Sequence, residues 1–254
     1  MKNKSLIIAA SLFIGVTALF YYKSKHAPLP DMQEVILVGT NAEFPPFTFI
    51  DEQRNIVGFD IDIATEVVKT LGKKMKLKDL SFDMLIPEAQ TGSIQIIAAG
   101  ITPTLERANH LIFTKPYLSG ESLIVVTLNK NPITSINDLQ GKEVVVNEGY
   151  ISDNYASSLA GVRVKRLPAP AESMLDLQME KTFAYITTRN AVEPFMQKSG
   201  TDKFNIFIIP GQYESTAMGI SKHYPELLNE IQPILDRMER DGTIEMLKKK
   251  WNLL

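Results

Sequence analysis

"IQIIAAGITPTLERA" (residues 94–108) decides the fold. It begins as an apolar run, passes through Ala98-Ala99 to Gly100, and turns polar around a single cation, Arg107. A run that is apolar at nearly every position predicts a strand covered on both faces. Such strands belong to sheets with helices packed on either side. Ligands of these sheets lie beyond the carboxyl ends of the strands, which is where Gly100 to Arg107 falls. Arg107 then has two readings: a surface charge on a short helix, or an anion clamp at the mouth of a cleft.

The flanking sequence repeats the strand–helix alternation. "VILVGT" (35–40) is a second buried strand opening into a loop, and "FTFIDEQRNIVGFD" (47–60) is a hairpin-like excursion with its turn at Asp51–Asn55. "DIDIATEVVKTLGKK" (60–74) spaces Ile61, Ala64, Val67, Val68 and Leu71 as a helix, with acids in its first turn and Gly72 at its end. "FDMLIPEAQTG" (82–92) is a shorter helix. The pattern resumes with "EVVVN" (143–147) as a strand ending at Glu148-Gly149-Tyr150, then "SDNYASSLA" (152–160) as a helix capped by Ser152 or Asp153. "RVKRL", "TFAYITT", "FNIFIIPG" and "STAMGIS" are strands, "AESMLDLQMEK" is an amphipathic helix, and the chain closes as helices.

The expected fold class is α/β, with two lobes that each hold a mostly parallel sheet flanked by helices. Residues 34–121 with 217–254 form one lobe and 122–216 the other, joined by a two-strand hinge near Ser119–Ser122 and Glu214–Ala217. Ahead of them, Lys2 and Lys4 precede an apolar run from Leu6 to Tyr22, so residues 1–22 read as a signal peptide or an N-terminal membrane anchor and 23–33 as a linker.

Composition excludes several function classes. The 254 residues carry 27 Lys+Arg against 29 Asp+Glu, a net charge of -2, so no basic surplus points to nucleic acid. Cysteine is absent, which removes disulfides, thiol nucleophiles and thiolate-held metals. No GxSxG elbow, P-loop, GxGxxG or HExxH is present, and His26, His110 and His223 are scattered in polar sequence as surface residues. No metal or cofactor is expected. Asp60 and Asp62 stand two apart on a helix and cannot share a metal, so they are expected to cap it and offset its dipole.

The binding candidates sit at the strand ends. In "NAEFPPFTF" (41–49) Phe44 is a pocket wall, while Phe47 and Phe49 belong to the core. Phe82 is a second wall, and Tyr150 faces the same cleft from the other lobe. Arg107 offers a rigid fork for a carboxylate, with Gly100 allowing close backbone approach and Thr102 adding a hydroxyl.

"GTNAEFPPFTF…VGFDIDIA", "FDMLIPEAQTGSIQIIAAGITPTLERA…FTKPY", "LQGKEVVV" and "DGTIEMLKKKW" together resemble the periplasmic polar amino-acid-binding proteins of ABC importers, solute-binding protein family 3. The likeness covers residues 33 to 254 and is nearest to the arginine-binding members. It implies a type II periplasmic-binding-protein clamshell that is not an enzyme. Such a protein is a periplasmic monomer that captures one free amino acid and delivers it to an importer permease. It implies that Arg107 binds the α-carboxylate, that Ala99, Gly100 and Thr102 receive the ligand's backbone groups, and that Phe44 and Phe82 wall its side chain. Asn41 would touch the far end of the ligand, and Gly149, Tyr150 and Ile151 occupy the second-lobe loop, where the family's "Q-x-G-T-T" has two hydroxyl residues.

One departure stands out. The family places an acid at the end of the strand "AYITTRN" to pair with the α-ammonium; Thr188 aligns with that position, a one-residue shift would select Thr187 or Arg189, and none of the three is an acid. Glu43, Glu148 and Glu193 are the acids that could replace it. Two alternatives accompany the transport reading: a cyclohexadienyl dehydratase-like enzyme on the same scaffold, and a membrane-anchored ligand sensor.

Overall fold

The computed structural model describes residues 35–253. The leader at 1–22, the linker at 23–33 and His26 lie outside the described residues. The first sheet has five strands: β1 (Val35–Thr40), β5 (Lys74–Asp79), β6 (Ile96–Ile97), β7 (Leu111–Phe113) and β13 (Gly219–Ser221), in the order β5-β1-β6-β13-β7. β1 and β6 are parallel, with Val38 opposite Ile96, while β13 runs antiparallel to both β6 and β7. The excursion after β1 is a small three-stranded sheet of β2 (Glu43–Phe44), β3 (Thr48–Ile50) and β4 (Ile56–Val57).

The second sheet orders β10 (Arg163–Leu167), β9 (Glu143–Asn147), β11 (Ala184–Thr188), β8 (Leu118–Leu128) and β12 (Phe204–Thr216) as β10-β9-β11-β8-β12. β9, β10 and β11 are parallel, and β8 pairs antiparallel with β11 and β12. Alternation assigns the two faces. Leu123, Val125, Val144, Val146, Ala184 and Ile186 fill one cluster, and Ile124, Val126, Val145 and Tyr185 fill another. Both faces are buried, so β8, β9 and β11 read as continuous apolar runs. Each buried Val or Ile contributes about 1.5–3 kcal/mol.

Helices cover both sheets. α1 (Phe59–Thr70) buries Ile63, Ala64, Val67 and Val68 against the first sheet, and α2 (Phe82–Gln90) buries Leu85 and Ala89. The last helices, α7 (Glu226–Arg240) and α8 (Thr243–Lys250), return to α1, where Lys250 and the Trp251 indole both reach Asp62 at 2.7 Å. Between the sheets run β8 and β12. Their ladder pairs Leu118 with Thr216 and Glu121 with Glu214, then slips between Ile208 and Tyr213. That irregularity bends the strands where the chain passes between halves.

Three expectations change. "IQIIAAGI" forms only the short β6, because Gly100 takes φ +65 and turns the chain out of extended geometry. The helix after Tyr150 is α4 (Ile151–Ser158), and its N-cap is Tyr150, not Ser152 or Asp153. Asp153 lies inside the first turn and reaches back to the Gly149 N–H at 3.2 Å, while Arg166 holds it at 2.9 Å.

Asp60 is the third. It is fully buried and caps nothing; its carboxylate accepts from the Gly100 N–H and, at 3.0 Å, from the Tyr117 hydroxyl. It thus ties α1 to the loop after β6. Burial pushes its carboxyl up to about 7, outweighing the lowering effect of those two donors. Between about pH 4 and 7 the folded protein therefore holds a proton here that the unfolded chain does not. Acidification through that window stabilises the fold through this group. Asp60→Asn should remove this component, so the wild type gains more stability than the variant between about pH 7 and 5 in denaturant unfolding. Parallel pH profiles for the two proteins would contradict it.

Candidate functional site

Arg107 comes from α3 (Leu105–Ala108), a single turn capped by the Thr104 hydroxyl, which accepts the Arg107 backbone N–H at 3.1 Å. Its side chain is only 7% exposed. Nη1 donates to the Thr102 carbonyl at 2.8 Å, and Nη2 donates across the cleft to the Gly149 carbonyl at 2.8 Å. Gly149 presents that carbonyl with φ +76, and its N–H is the one held by Asp153. Two of the five guanidinium N–H donors are thus used, both on neutral carbonyls. No carboxylate lies within ion-pair distance of Arg107 among the described residues. Burial lowers its pKa, and nearby acids, Glu214 first, pull it back.

The cleft walls are aromatic. The Phe82 ring at the start of α2 lies 5.5 Å from the guanidinium carbon, within cation–π range. Phe44 stacks on Phe47 at 4.9 Å. Tyr150 enters between the walls from the second half, edge-on to Phe44 at 5.4 Å and tilted against Phe82 at 4.6 Å. Gly100 has to be a glycine here, since a Cβ would stand 2.6 Å from the Phe44 ring. Its N–H is committed to Asp60, so what it can offer a ligand is its carbonyl.

Of the residues singled out in the sequence, Phe44, Phe82, Gly100, Thr102, Arg107, Tyr150 and Ile151 line one cavity, and Gly149 borders it through the Arg107 bond. Asn41, Ala99 and Thr188 are not among its lining residues. Asn41 donates to the Leu80 carbonyl at 3.0 Å, Ala99 belongs to the core beneath α2, and Thr188 is buried opposite Leu123 at the end of β11. The three acids nominated by sequence are elsewhere too. Glu43 and Glu148 are exposed, and Glu193 pairs with Arg189 at 3.2 Å.

A different acid lines the cavity. Glu214, on the hinge strand β12, completes the lining with Arg107 and the aromatics. Burial raises its carboxyl to about 8, Glu121 opposite it on β8 adds to the rise, and Arg107 opposes it. The signal for it was present: the hinge segment starts at this residue, and hinge strands form the back of a two-lobed cleft.

Tyr150 leaves little space. The cavity measures about 10 Å³, the room of about one water, whereas sites for small ligands need about 300 Å³ or more. The Tyr150 hydroxyl is buried with no hydrogen-bond partner among the described residues, at a cost of about 1–3 kcal/mol. An amino-acid-sized ligand therefore requires the halves to part and this ring to move. Tyr150→Ala removes a contact that spans both halves. We expect a larger radius of gyration in solution scattering without added solute. Stability should fall by about 2–3 kcal/mol, less than a core aromatic truncation because the orphan hydroxyl goes too. Unchanged scattering and unchanged stability would show that the ring does not hold the cleft together.

A family model of the bacterial extracellular solute-binding proteins, family 3, matches residues 36–253. The arginine-binding extracellular protein ArtP of Bacillus subtilis (strain 168) is 27% identical over 252 residues, spanning 97% of this chain and 96% of its own. The L-cystine-binding protein TcyA of the same organism is 26% identical over 220 residues, spanning 85% and 81%. The structure of an ancestral arginine-binding protein bound to arginine superimposes with a TM-score of 0.81 at 33% identity, covering 87% of this chain and 99% of that one. The chain belongs to the bacterial extracellular solute-binding proteins, family 3.

Proposed function

We propose that this protein captures a free amino acid, arginine or another polar one, between its two lobes outside the cytoplasm and delivers it to the permease of an ABC importer. The lobes are residues 34–121 with 217–254 and residues 122–216, and the leader at 1–22 exports or tethers the chain. It works as a monomer and makes or breaks no covalent bond. Bending of the paired strands β8 and β12 lets the lobes part to admit the ligand, and closure buries it.

The observation that carries this reading is Arg107, a buried guanidinium bonded only to carbonyl dipoles. A buried charge without a counter-charge is costly, and a carboxylate is the group whose two oxygens match the fork. Thr102 beside it adds a hydroxyl, and Phe44 and Phe82 form apolar walls for a side chain. Phe82 in particular can stack on a flat cationic or amide group, as it already does on Arg107. Relatives named for arginine and for cystine share the scaffold, so the walls and not the clamp select the side chain.

A thermal-shift and calorimetric survey of the standard L-amino acids tests the reading. At a hundredfold excess over Kd the best ligand should stabilise the fold by about 2.7 kcal/mol. Arg107→Ala should weaken that binding by about 100-fold or more, the loss of a bidentate charged pair. Undiminished binding by Arg107→Ala would refute the clamp.

A further inference from the structure

We infer that Glu214 receives the ligand's ammonium, so that the site selects α-amino acids with Arg107 at one end and a hinge carboxylate at the other; the inference rests on the capture reading above. It answers a chemical gap in the second sheet. β11 ends in Thr187-Thr188 and runs directly into α6 (Arg189–Ser199), so no acid stands there. The carboxylate nearest that strand end is Glu121, and it is engaged: it accepts the Asn190 backbone N–H at the head of α6 at 2.7 Å. Its cross-strand partner Glu214 lines the cavity with Arg107, Gly100, Thr102 and Tyr150.

Two observations point from Glu214 to a cation. First, it forms no salt bridge among the described residues, though Arg107 lines the same cavity; both Arg107 bonds run to carbonyls instead. Second, Tyr150, which lines that cavity and is 7% exposed, has a buried hydroxyl with no hydrogen-bond partner among the described residues. An ammonium carries three N–H donors. Glu214, Gly100 and Tyr150 line that cavity from three separate segments, and each carries an oxygen that can accept. A carboxylate-only ligand could accept from the Tyr150 hydroxyl, but it would bring no donor to the Glu214 carboxylate.

Position strengthens the assignment. Glu214 sits where β12 crosses between halves, the part of a hinged molecule that moves least when the cleft opens. It can hold an ammonium before closure, whereas an acid at the end of β11 would reach it only after closure. The charged and titratable groups facing Glu214 are Glu121 on β8, Arg107 on α3, Tyr150 at the head of α4 and Tyr185 on β11. Burial and Glu121 hold the Glu214 carboxyl up at about 8, so near neutral pH it carries a proton. An incoming ammonium favours the ionised form and lowers that value. Binding then releases a proton, and affinity rises as pH approaches about 8 from below.

The test titrates the standard L-amino acids and their des-amino counterparts into the wild type, Glu214→Gln and Arg107→Ala. The wild type should bind an L-amino acid about tenfold or more tighter than its des-amino counterpart. Glu214→Gln should weaken that amino acid by about 10–100-fold and leave the des-amino acid within about twofold. Because Gln is isosteric with the protonated carboxyl, the variant should keep the wild-type melting temperature within a few degrees. Wild-type calorimetry in phosphate and Tris at about pH 7 should show proton release with the amino acid and none with the des-amino acid. Unchanged amino-acid affinity in Glu214→Gln, or no proton release, would overturn the assignment. Binding of des-amino acids but of no amino acid would overturn Glu214 and spare the Arg107 clamp. Loss in Glu214→Gln with full retention in Arg107→Ala would spare Glu214 and overturn the clamp.

Discussion

A buried guanidinium with no carboxylate to meet it governs the arrangement of this cleft. Arg107 gives one hydrogen bond to its own loop, at the Thr102 carbonyl, and one across the cleft to the Gly149 carbonyl. Much of the surrounding structure serves those two bonds. Thr104 fixes the turn that carries the arginine, and Asp60 pins the loop at the Gly100 N–H. Gly149 adopts a left-handed conformation that an L side chain rarely takes, and Asp153 with Arg166 holds it there. The Arg107–Gly149 bond is at once the tie between halves and the contact a ligand carboxylate would replace. Carbonyl dipoles compensate a buried charge less well than a carboxylate does, so the exchange favours ligand.

The elements of this fold that could be read from sequence are those whose burial is periodic. α1 shows its buried stripe at Ile63, Ala64, Val67 and Val68, and the central strands of the second sheet are apolar on both faces. The aromatic walls and Arg107 were legible because loops after buried strands have few reasons to hold rings and a fork-shaped cation together. What escaped was long-range geometry. Asp60 looks like any acid in a first helical turn, and only the approach of the Gly100 loop and Tyr117 gives it internal work. Glu214 follows an exposed Tyr213, and its inward direction depends on the slipped register with β8. Asn41, Ala99 and Thr188 sit at strand ends, yet Asn41 donates to the Leu80 carbonyl, Ala99 packs in the core and the Thr188 hydroxyl bonds the Glu121 carboxyl.

Tyr150 shows how one side chain can change the behaviour of a shared scaffold. At a loop position where the resemblance leads one to expect a small hydroxyl residue, this chain places a ring that fills the gap between Phe44 and Phe82. The ring gives the halves an apolar contact of their own, so closure does not depend on ligand alone. It also brings a buried hydroxyl that finds no partner. Those effects oppose each other: dispersion and burial favour the ring in place, while the orphan hydroxyl favours its departure or the arrival of a hydrogen-bond partner. A ligand that supplies such a partner relieves the second without losing all of the first. The ring therefore penalises weak ligands more than it penalises those that reach its oxygen.

Charge balance then selects among such ligands. Near neutral pH the cleft holds one cation, Arg107, and a hinge carboxyl kept protonated by burial and by Glu121. A simple carboxylate neutralises Arg107 but leaves Glu214 protonated and its cavity-facing lone pairs unused. A zwitterion neutralises Arg107 with one end and, by displacing the proton, forms a second ion pair with the other. A simple amine faces Arg107 with no anion to offset it. Of these ligand classes only the zwitterion gives both Arg107 and Glu214 an opposite charge, and it does so without an acid on β11. A fixed acid at the cleft edge would be solvated when the lobes part and desolvated when they close. A hinge acid that gives up its proton only to an ammonium keeps that desolvation cost out of the ligand-free protein and makes closure report on the ligand's own charge.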